Sequence, residues 1–544
     1  MKNKNHRKST SLFKSAGILT IAIFMARIIG AIHRLPLAHI LGTTGMGLYQ
    51  LVFPIYSFLL STSSGALPVA ISMIVGQRLS NNNKCYAREI LNVAMSALLV
   101  TGLITAFTLI AMSGLIGKLQ GATSTRLGYI AIAPAVFFTS GIAVLRGWFQ
   151  GNGSMKPSAL SQVTEAVIKL IAGLIFARCL LPFGIEYATA GALTGVTLAE
   201  GLTLLILYLI YRKDNPRIKL NLNFKKSKEK YKEIIKLTFP MTIGGMILPL
   251  SQMLDSLLVL NLTNKLSGSE MAVVDYGLYT GYVGALVNFP IMAALSLGIA
   301  VAPVLRKDIA DHNISEIKKK INASLKITLM VTTPFTIYYC VAPDSILNIL
   351  YPSLNDVEIL KAISFLRIGG ISVIGLSLTQ VYASILQGLG KMYEPVKSMS
   401  VAVVFKIILS FVLASKIGIH GIVIATAVFF AVSALSNFFK VMKLTGFDVK
   451  TYKYSLLIVV FGLIISGGIT GLIKNLNMEF LTLILMISSV IPFLISIIAI
   501  GTFTDEELIN FPFGKLFLKF AKVTRIFKLK LKGYFKIENR KNIS

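Results

Sequence analysis

Arg27 and Arg34 stand seven residues apart in an otherwise apolar stretch. On a helix that spacing is nearly two turns, so both guanidinium groups leave one face, about 10 Å apart along the axis. Gly30 between them keeps the groove shallow. A guanidinium is a planar fork that matches phosphate oxygens, and two on one face suit a diphosphate. The competing reading is that Arg34, with His33, marks the outer end of the helix and snorkels to the interface. Arg27 lies deeper, where a charge costs about 2.5–3.5 kcal/mol even on lenient scales and so calls for a purpose.

Further ionisable residues fall inside apolar stretches. Glu165 and Lys169 are spaced i,i+4, in the order that favours a helix ion pair, and mutual neutralisation is the plain expectation. Lys406 occupies the matching place later in the chain, but four residues before it stands Ala402. A lysine in both places is explained by a cavity that needs cations. Arg367, followed by Gly369-Gly370, is another candidate cation, and Glu200 and Asp255 are the acidic counterparts. Either acid can hold a coupling cation or pair with an arginine. His6, His33, His39, His312 and His420 are scattered, and Cys85, Cys179 and Cys340 share no metal-like spacing. No nucleophile–base set is present, so the sequence supports neither catalysis nor a bound metal or organic cofactor.

The elements that must position these groups are membrane helices. The chain has 544 residues, of which 54% are hydrophobic and only 14% charged, and its mean hydropathy is +0.74. That is too apolar for a soluble globular protein. Apolar stretches of about 20 residues follow one another, predicting an all-α integral membrane protein with about fourteen spans. Bends are expected around Pro36, Pro54, Pro68, Pro240, Pro249, Pro290 and Pro334. The net charge of +31 is sorted by side. With the N-terminus inside, Lys2, Lys4, Arg7, Lys8, Lys14, Arg78, Lys84, Arg88 and the runs 212–236, 306–326 and 440–453 all lie on the cytoplasmic face. That is the positive-inside pattern, with both termini cytoplasmic in the cell membrane. Contact with anionic lipid headgroups accounts for the basic segments without nucleic acid.

The chain also repeats itself. Gly47-Leu48-Tyr49-Gln50 returns as Gly277-Leu278-Tyr279-Thr280, and Leu67-Pro68-Val69-Ala70-Ile71 meets Leu297-Gly298-Ile299-Ala300-Val301 at the same shift. Gln150-Gly151-Asn152-Gly153 recurs as Gln387-Gly388-Leu389-Gly390, at a slightly longer shift that also carries Lys169 onto Lys406. These glycine turns lack the strand and helix start of a phosphate loop and read as tight cytoplasmic turns. Two apolar repeats predict two six-helix lobes rocking around a shared site. The expected divisions are an N-terminal lobe over 1–212, a basic cytoplasmic linker over 213–234 and a C-terminal lobe over 235–450, then two extra spans over 451–504 and a basic tail over 505–544. Tail stretches mixing Lys with Phe, Leu and Ile either lie flat on the inner leaflet or remain unstructured.

Ala26-Arg27-Ile28-Ile29-Gly30, His33-Arg34-Leu35-Pro36, Gly45-Met46-Gly47-Leu48-Tyr49, Leu67-Pro68-Val69-Ala70-Ile71-Ser72 and Arg146-Gly147-Trp148-Phe149-Gln150-Gly151 together form a pattern. It resembles the stage V sporulation protein B and MurJ-type branch of the multidrug/oligosaccharidyl-lipid/polysaccharide exporter superfamily, over essentially the whole chain. The resemblance implies a fourteen-helix V-shaped fold that flips lipid-linked cell-wall precursors, chiefly lipid II, to the outer leaflet. It implies that Arg27, with His33 or Arg34, contacts a pyrophosphate, and that the last two helices form a groove for the polyprenyl tail. The additional second-span arginine of Gram-negative members has no counterpart between Tyr49 and Val75. Where sodium coupling is known in the family it uses acids in spans seven and eleven. Asp255 fits the first, and 398–415 supplies no acid for the second.

The expectation is therefore a flippase for an undecaprenyl-diphosphate-linked peptidoglycan precursor, in vegetative wall or spore cortex synthesis. It would work by alternating access, driven by the membrane potential, Na+ or H+. Arg27, Arg34, His33, Lys169, Arg367 and Lys406 would line the cationic cavity, and Asp255, Glu200 and Glu165 would serve as coupling or pairing acids. Cell-wall synthesis enzymes are expected partners. The rivals are a flippase for a teichoic-acid, capsular or exopolysaccharide unit, a multidrug/cation antiporter, and a scaffold for a wall-synthesis complex. An antiporter favours acids in its cavity, which the excess of cations opposes.

Overall fold

The computed structural model describes residues 2–215, 217–220, 227–292, 313–446, 463–473 and 481–500, with isolated positions at 305, 309, 460, 518, 519 and 522. The described residues are helical almost throughout. In order these are α1 (Lys2–Ser63), α2 (Leu67–Ser80), α3 (Lys84–Gln120), α4 (Arg126–Gly151), α5 (Met155–Leu180), α6 (Ile185–Asp214), α7 (Lys228–Ser267) and α8 (Ser269–Tyr276). A π-helical segment, Gly277–Val283, continues α8. Then come α9 (Ile314–Val341), α10 (Pro343–Leu350), α11 (Asp356–Gly388), α12 (Tyr393–Ile417) and α13 (Ile419–Thr445). Two apolar helices follow, α14 (Leu463–Ile473) and α15 (Leu481–Ile500).

Nine of the described helices are long and apolar enough to cross a membrane, or ten if α9 and α10, bent by 88°, form one broken span. The expected fourteen is larger for a physical reason. Gly17–Ser80 runs as one apolar stretch of 64 residues where the sequence predicts two spans and a loop. The expected spans over 275–303 and 454–473 also extend beyond the described residues, as does almost all of the basic tail. The sharp break in α1 is at Gly42 (φ 62°, ψ −173°), whereas Pro36 and Pro54 sit inside the helix. A left-handed φ is open to glycine without a Cβ penalty, so glycine makes the corner. Pro68 lies in the first turn of α2, where its missing N–H leaves no intrahelical bond unmade.

The described chain divides into two compact units. The first holds residues 1–292, 350–365 and 395–429. One of its cores packs Ile71, Ile90, Leu91, Val144, Leu145 and Leu207 around the edge-to-face pair Trp148 and Tyr211. The second holds 293–349, 366–394 and 430–544, with a core of Ile317, Ile321, Leu325, Val381, Tyr382 and Val441. Within it α14 and α15 join through Ser466, whose hydroxyl reaches the carbonyls of Ser488 and Ser489.

Both glycine turns are helix terminators of one geometry. Ser154 N–H donates to the Phe149 carbonyl at 2.9 Å around Gly153 (φ 74°), and Lys391 N–H donates to the Leu386 carbonyl at 2.8 Å around Gly390 (φ 77°). These are Schellman-type stops, which end α4 and α11 and satisfy orphan carbonyls.

The repeated Gly-Leu-Tyr motifs meet inside the first unit. A methyl group on Gly47 would run into the Val273 carbonyl, and one on Gly277 into the Thr43 carbonyl and the Gly47 backbone. Gln50 Nε2 donates to the Thr280 carbonyl at 2.7 Å, bridging residues 230 positions apart, and Tyr282 Oη donates to the Ala38 carbonyl at 2.9 Å. Small residues let two backbones touch in a bilayer, where no hydrophobic force pulls helices together. Gly47→Ala is expected to cost about 1–3 kcal/mol through overpacking, lowering the thermal unfolding midpoint in detergent. Gly30→Ala, where an added methyl meets nothing within 4 Å, should leave the midpoint in place. Equal midpoints for the two variants would remove the packing role of Gly47.

Candidate functional site

Three cations converge from α1 and α5. Arg27 is exposed, Arg34 is half-buried one face-repeat further along α1, and Lys169 of α5 is half-buried. The Lys169 ammonium sits 5.0 Å from the centre of the Phe53 ring, a cation–π distance. Gly30, between the arginines, is open on its outer side, as the shallow groove required. Among the described residues none of these three cations forms an ion pair with a carboxylate. His33 is buried, packs against Gly173 of α5, and leaves Nε2 without a hydrogen-bond partner. The histidine therefore wedges α1 onto α5, and of His33 and Arg34 it is the arginine that keeps access to solvent or substrate.

The acids are distributed differently from the simple i,i+4 expectation. Glu165 pairs with Arg146 of α4, Nη2 to Oε2 at 2.8 Å, and Arg146 Nε also donates to Ser161 Oγ at 2.9 Å. Lys169 is thereby left without its expected helix partner. Glu200 of α6 is 4% exposed, lies within hydrogen-bonding reach of Glu165, and has an unpartnered Oε2. Arg146 was not singled out as a site residue from sequence, although it interrupts an apolar run in the same way as Arg27. The signal was present and was absorbed into the Arg-Gly-Trp motif.

A second cluster in the same unit joins α7 and α12. Lys406 Nζ reaches Asp255 Oδ2 at 2.6 Å and Ser251 Oγ at 2.9 Å, with side chains only 4% and 17% exposed. The Phe429 ring centre lies 5.5 Å from the same ammonium. The two charges border a narrow cleft lined also by Leu258, Val403, Ser410 and Ile422. Lys406 is thus committed to an acid while its repeat counterpart Lys169 is not, and Asp255 already holds a cation supplied by the chain. Arg367 belongs to the second unit, where it is exposed on α11 and its carbonyl faces the Cys340 thiol at 3.5 Å. No three His, Cys, Asp or Glu side chains gather as metal ligands among the described residues.

Comparison with known proteins fits this arrangement. Residues 12–308 match the family described as polysaccharide biosynthesis protein, and residues 240–412 match the MatE family. The chain is similar to the lipid II flippase MurJ of Bacillus subtilis (strain 168), 26% identical over 81% of this chain and 84% of the relative. It is also similar to stage V sporulation protein B of the same organism, 25% identical over 87% and 90%. Among solved structures, one of the lipid II flippase MurJ in an inward closed conformation superposes with a TM-score of 0.69. It covers 88% of this chain and 97% of that one at 15% identity, a likeness of fold.

The buried Lys406–Asp255 pair sets a stability expectation. Asp255→Asn strands an ammonium in apolar surroundings, and breaking a buried pair this way costs about 3–5 kcal/mol. Adding Lys406→Met to that variant should restore most of the loss, because no charge then remains buried. Thermal unfolding of the purified protein in detergent measures both. Additive losses in the double variant would show that the two residues do not act as a pair.

Proposed function

Because this chain belongs to the polysaccharide biosynthesis protein family, we propose that it is a flippase of the MOP exporter superfamily acting on a lipid-linked, diphosphate-bearing glycan precursor. The precursor favoured is lipid II or a close analogue, carried from the inner to the outer leaflet of the cytoplasmic membrane. One observation supports the reading above others: Arg27, Arg34 and Lys169 share a region of α1 and α5 without a carboxylate partner among the described residues. Uncompensated cations in an apolar protein are costly. An anionic substrate that answers them on binding gives that cost a purpose.

In this mechanism the headgroup enters from the cytoplasm and gives its phosphate oxygens to the two guanidinium forks, with Lys169 as a point charge beside them. The polyprenyl chain stays in the bilayer, and α14 and α15 are the helices proposed to guide it. Alternating access then exposes the headgroup to the other side. The membrane potential favours inward return of the emptied cationic site, at about 2.3 kcal/mol per charge per 100 mV. Anionic lipids are proposed to hold the basic cytoplasmic segments, and wall-synthesis enzymes to supply and remove the precursor. The match to the MatE family favours a second reading, export of cationic drugs, but a drug site of that kind needs unpaired acids. Here Asp255 and Glu165 are each paired with a cation.

Arg27 gives the test. Charge-assisted hydrogen bonds contribute about 1.5–3 kcal/mol each, so Arg27→Ala should abolish complementation of a flippase-deficient strain while the protein still inserts normally. Arg27→Lys should rescue only in part, since the fork is lost. Full complementation by Arg27→Ala at normal membrane levels would remove Arg27 from the substrate site.

A further inference from the structure

Glu165 and Glu200 meet across one of the closest helix contacts in the first unit. A methyl group on Gly195 of α6 would strike the backbone of Gly173 of α5, and one on Gly191 the Phe176 carbonyl. The two antiparallel helices therefore approach backbone to backbone. Glu165, two turns before Gly173, and Glu200, just over one turn past Gly195, come together as a result. The pair shares a single committed cation. Arg146 binds Glu165 at 2.8 Å, while the Lys169 ammonium faces Phe53 and forms no ion pair with either acid among the described residues.

Glu200 is 4% exposed and its Oε2 finds no hydrogen-bond partner. An ionised carboxylate in that position would be buried beside a second carboxylate with one oxygen unanswered, which is costly on both counts. A protonated Glu200 removes the conflict. Its O–H donates to Glu165, whose other oxygen accepts from Arg146, and the remaining oxygen is neutral. The charged and titratable groups facing Glu200 are Glu165 and Lys169 of α5, Arg146 of α4 and Tyr56 of α1. Tyr56 Oη and Thr203 Oγ1 beside it are likewise buried, so the cluster is polar but closed.

We infer that Glu200 is a proton-binding site whose loading makes the neighbouring Arg27–Arg34–Lys169 region more positive and so strengthens its hold on an anion. The step is proton transfer alone. Water delivers H+, the carboxylate becomes a carboxylic acid, and the proton rests on the oxygen that faces Glu165. Loading leaves the four groups Arg146, Glu165, Glu200 and Lys169 with a net charge of +1, where unloading leaves zero. Proton entry and anion binding would then favour each other, by the reciprocity of linked sites. The linkage to substrate rests on the flippase reading above; the protonation itself does not.

Infrared spectroscopy of the ligand-free full-length protein in lipid tests the site directly. Buried glutamates titrate as high as about pH 8–9, so a protonated-carboxyl band should be present at about pH 6 and fade by about pH 10. Glu200→Gln should lack that band throughout. Glu165→Gln should lack it too, because Glu200 then becomes the sole partner of Arg146 and ionises. A spectrum unchanged by Glu200→Gln, or a Glu200 band that persists at alkaline pH, overturns the inference. Binding of undecaprenyl diphosphate tests the linkage. A unit charge about 10 Å away is worth about tenfold in affinity, so wild-type affinity should fall about tenfold more than that of Glu200→Gln as pH rises. The phosphates' own ionisation affects both proteins alike. Equal pH profiles overturn the linkage. Absence of binding at every pH, with the band behaving as stated, instead overturns the flippase reading and leaves the proton site standing.

Discussion

A charge inside an apolar protein must be answered by an opposite charge, a ring or a ligand. The first unit of this chain answers some of its charges and leaves others open. Lys406 is answered by Asp255 and Ser251, and Glu165 by Arg146. Lys169 has a ring face, and Arg27 and Arg34 have no carboxylate among the described residues. The open cations gather on α1 and α5, and the answered ones lie on α4 and α12. This sorting turns a very basic composition into a located site. It also separates the roles of two lysines that the repeat makes equivalent.

The backbone contact between the Gly47 and Gly277 motifs holds that site in place. Both ends of α1's second half are fastened there, by the Gln50–Thr280 bond and by Thr43 Oγ1 donating to Glu358 at 2.7 Å. The π-helical turn at Gly277–Val283 lies at the same contact, where such bulges often mark functional positions. Gly42, a few residues earlier, redirects the helix that carries Arg27 and Arg34. His33 then fills the space against Gly173. Three glycines and one histidine thus decide where two arginines point.

Much of this was legible in the sequence because its signals are local. Apolar runs, basic connecting segments and glycine-stopped helix ends follow from hydropathy and backbone sterics, and the two Gln-Gly-x-Gly turns folded as capping turns. The repeat also pointed to real contacts, since Gln50 and Thr280 touch. What sequence could not supply was partner choice across helices. The i,i+4 spacing of Glu165 and Lys169 favoured each other, yet Arg146 on the next helix outcompeted Lys169. Nothing in the spacing of Asp255 and Lys406 joins them, because residues so far apart meet only through packing. Pro36 and Pro54 were the natural places for bends, but a glycine able to adopt a left-handed φ made the sharper corner.

The central claim is that the open cations of α1 and α5 receive a lipid-linked diphosphate and carry it across the bilayer. Reconstitution tests this most directly. The purified protein is placed in vesicles holding a fluorescent undecaprenyl-diphosphate-linked sugar in one leaflet, and exposure of the headgroup on the other side is followed in time. The account predicts protein-dependent exposure that unlabelled lipid-linked diphosphate competes away and cationic drugs do not. Exposure at the rate of protein-free vesicles, or competition by cationic drugs alone, would contradict it.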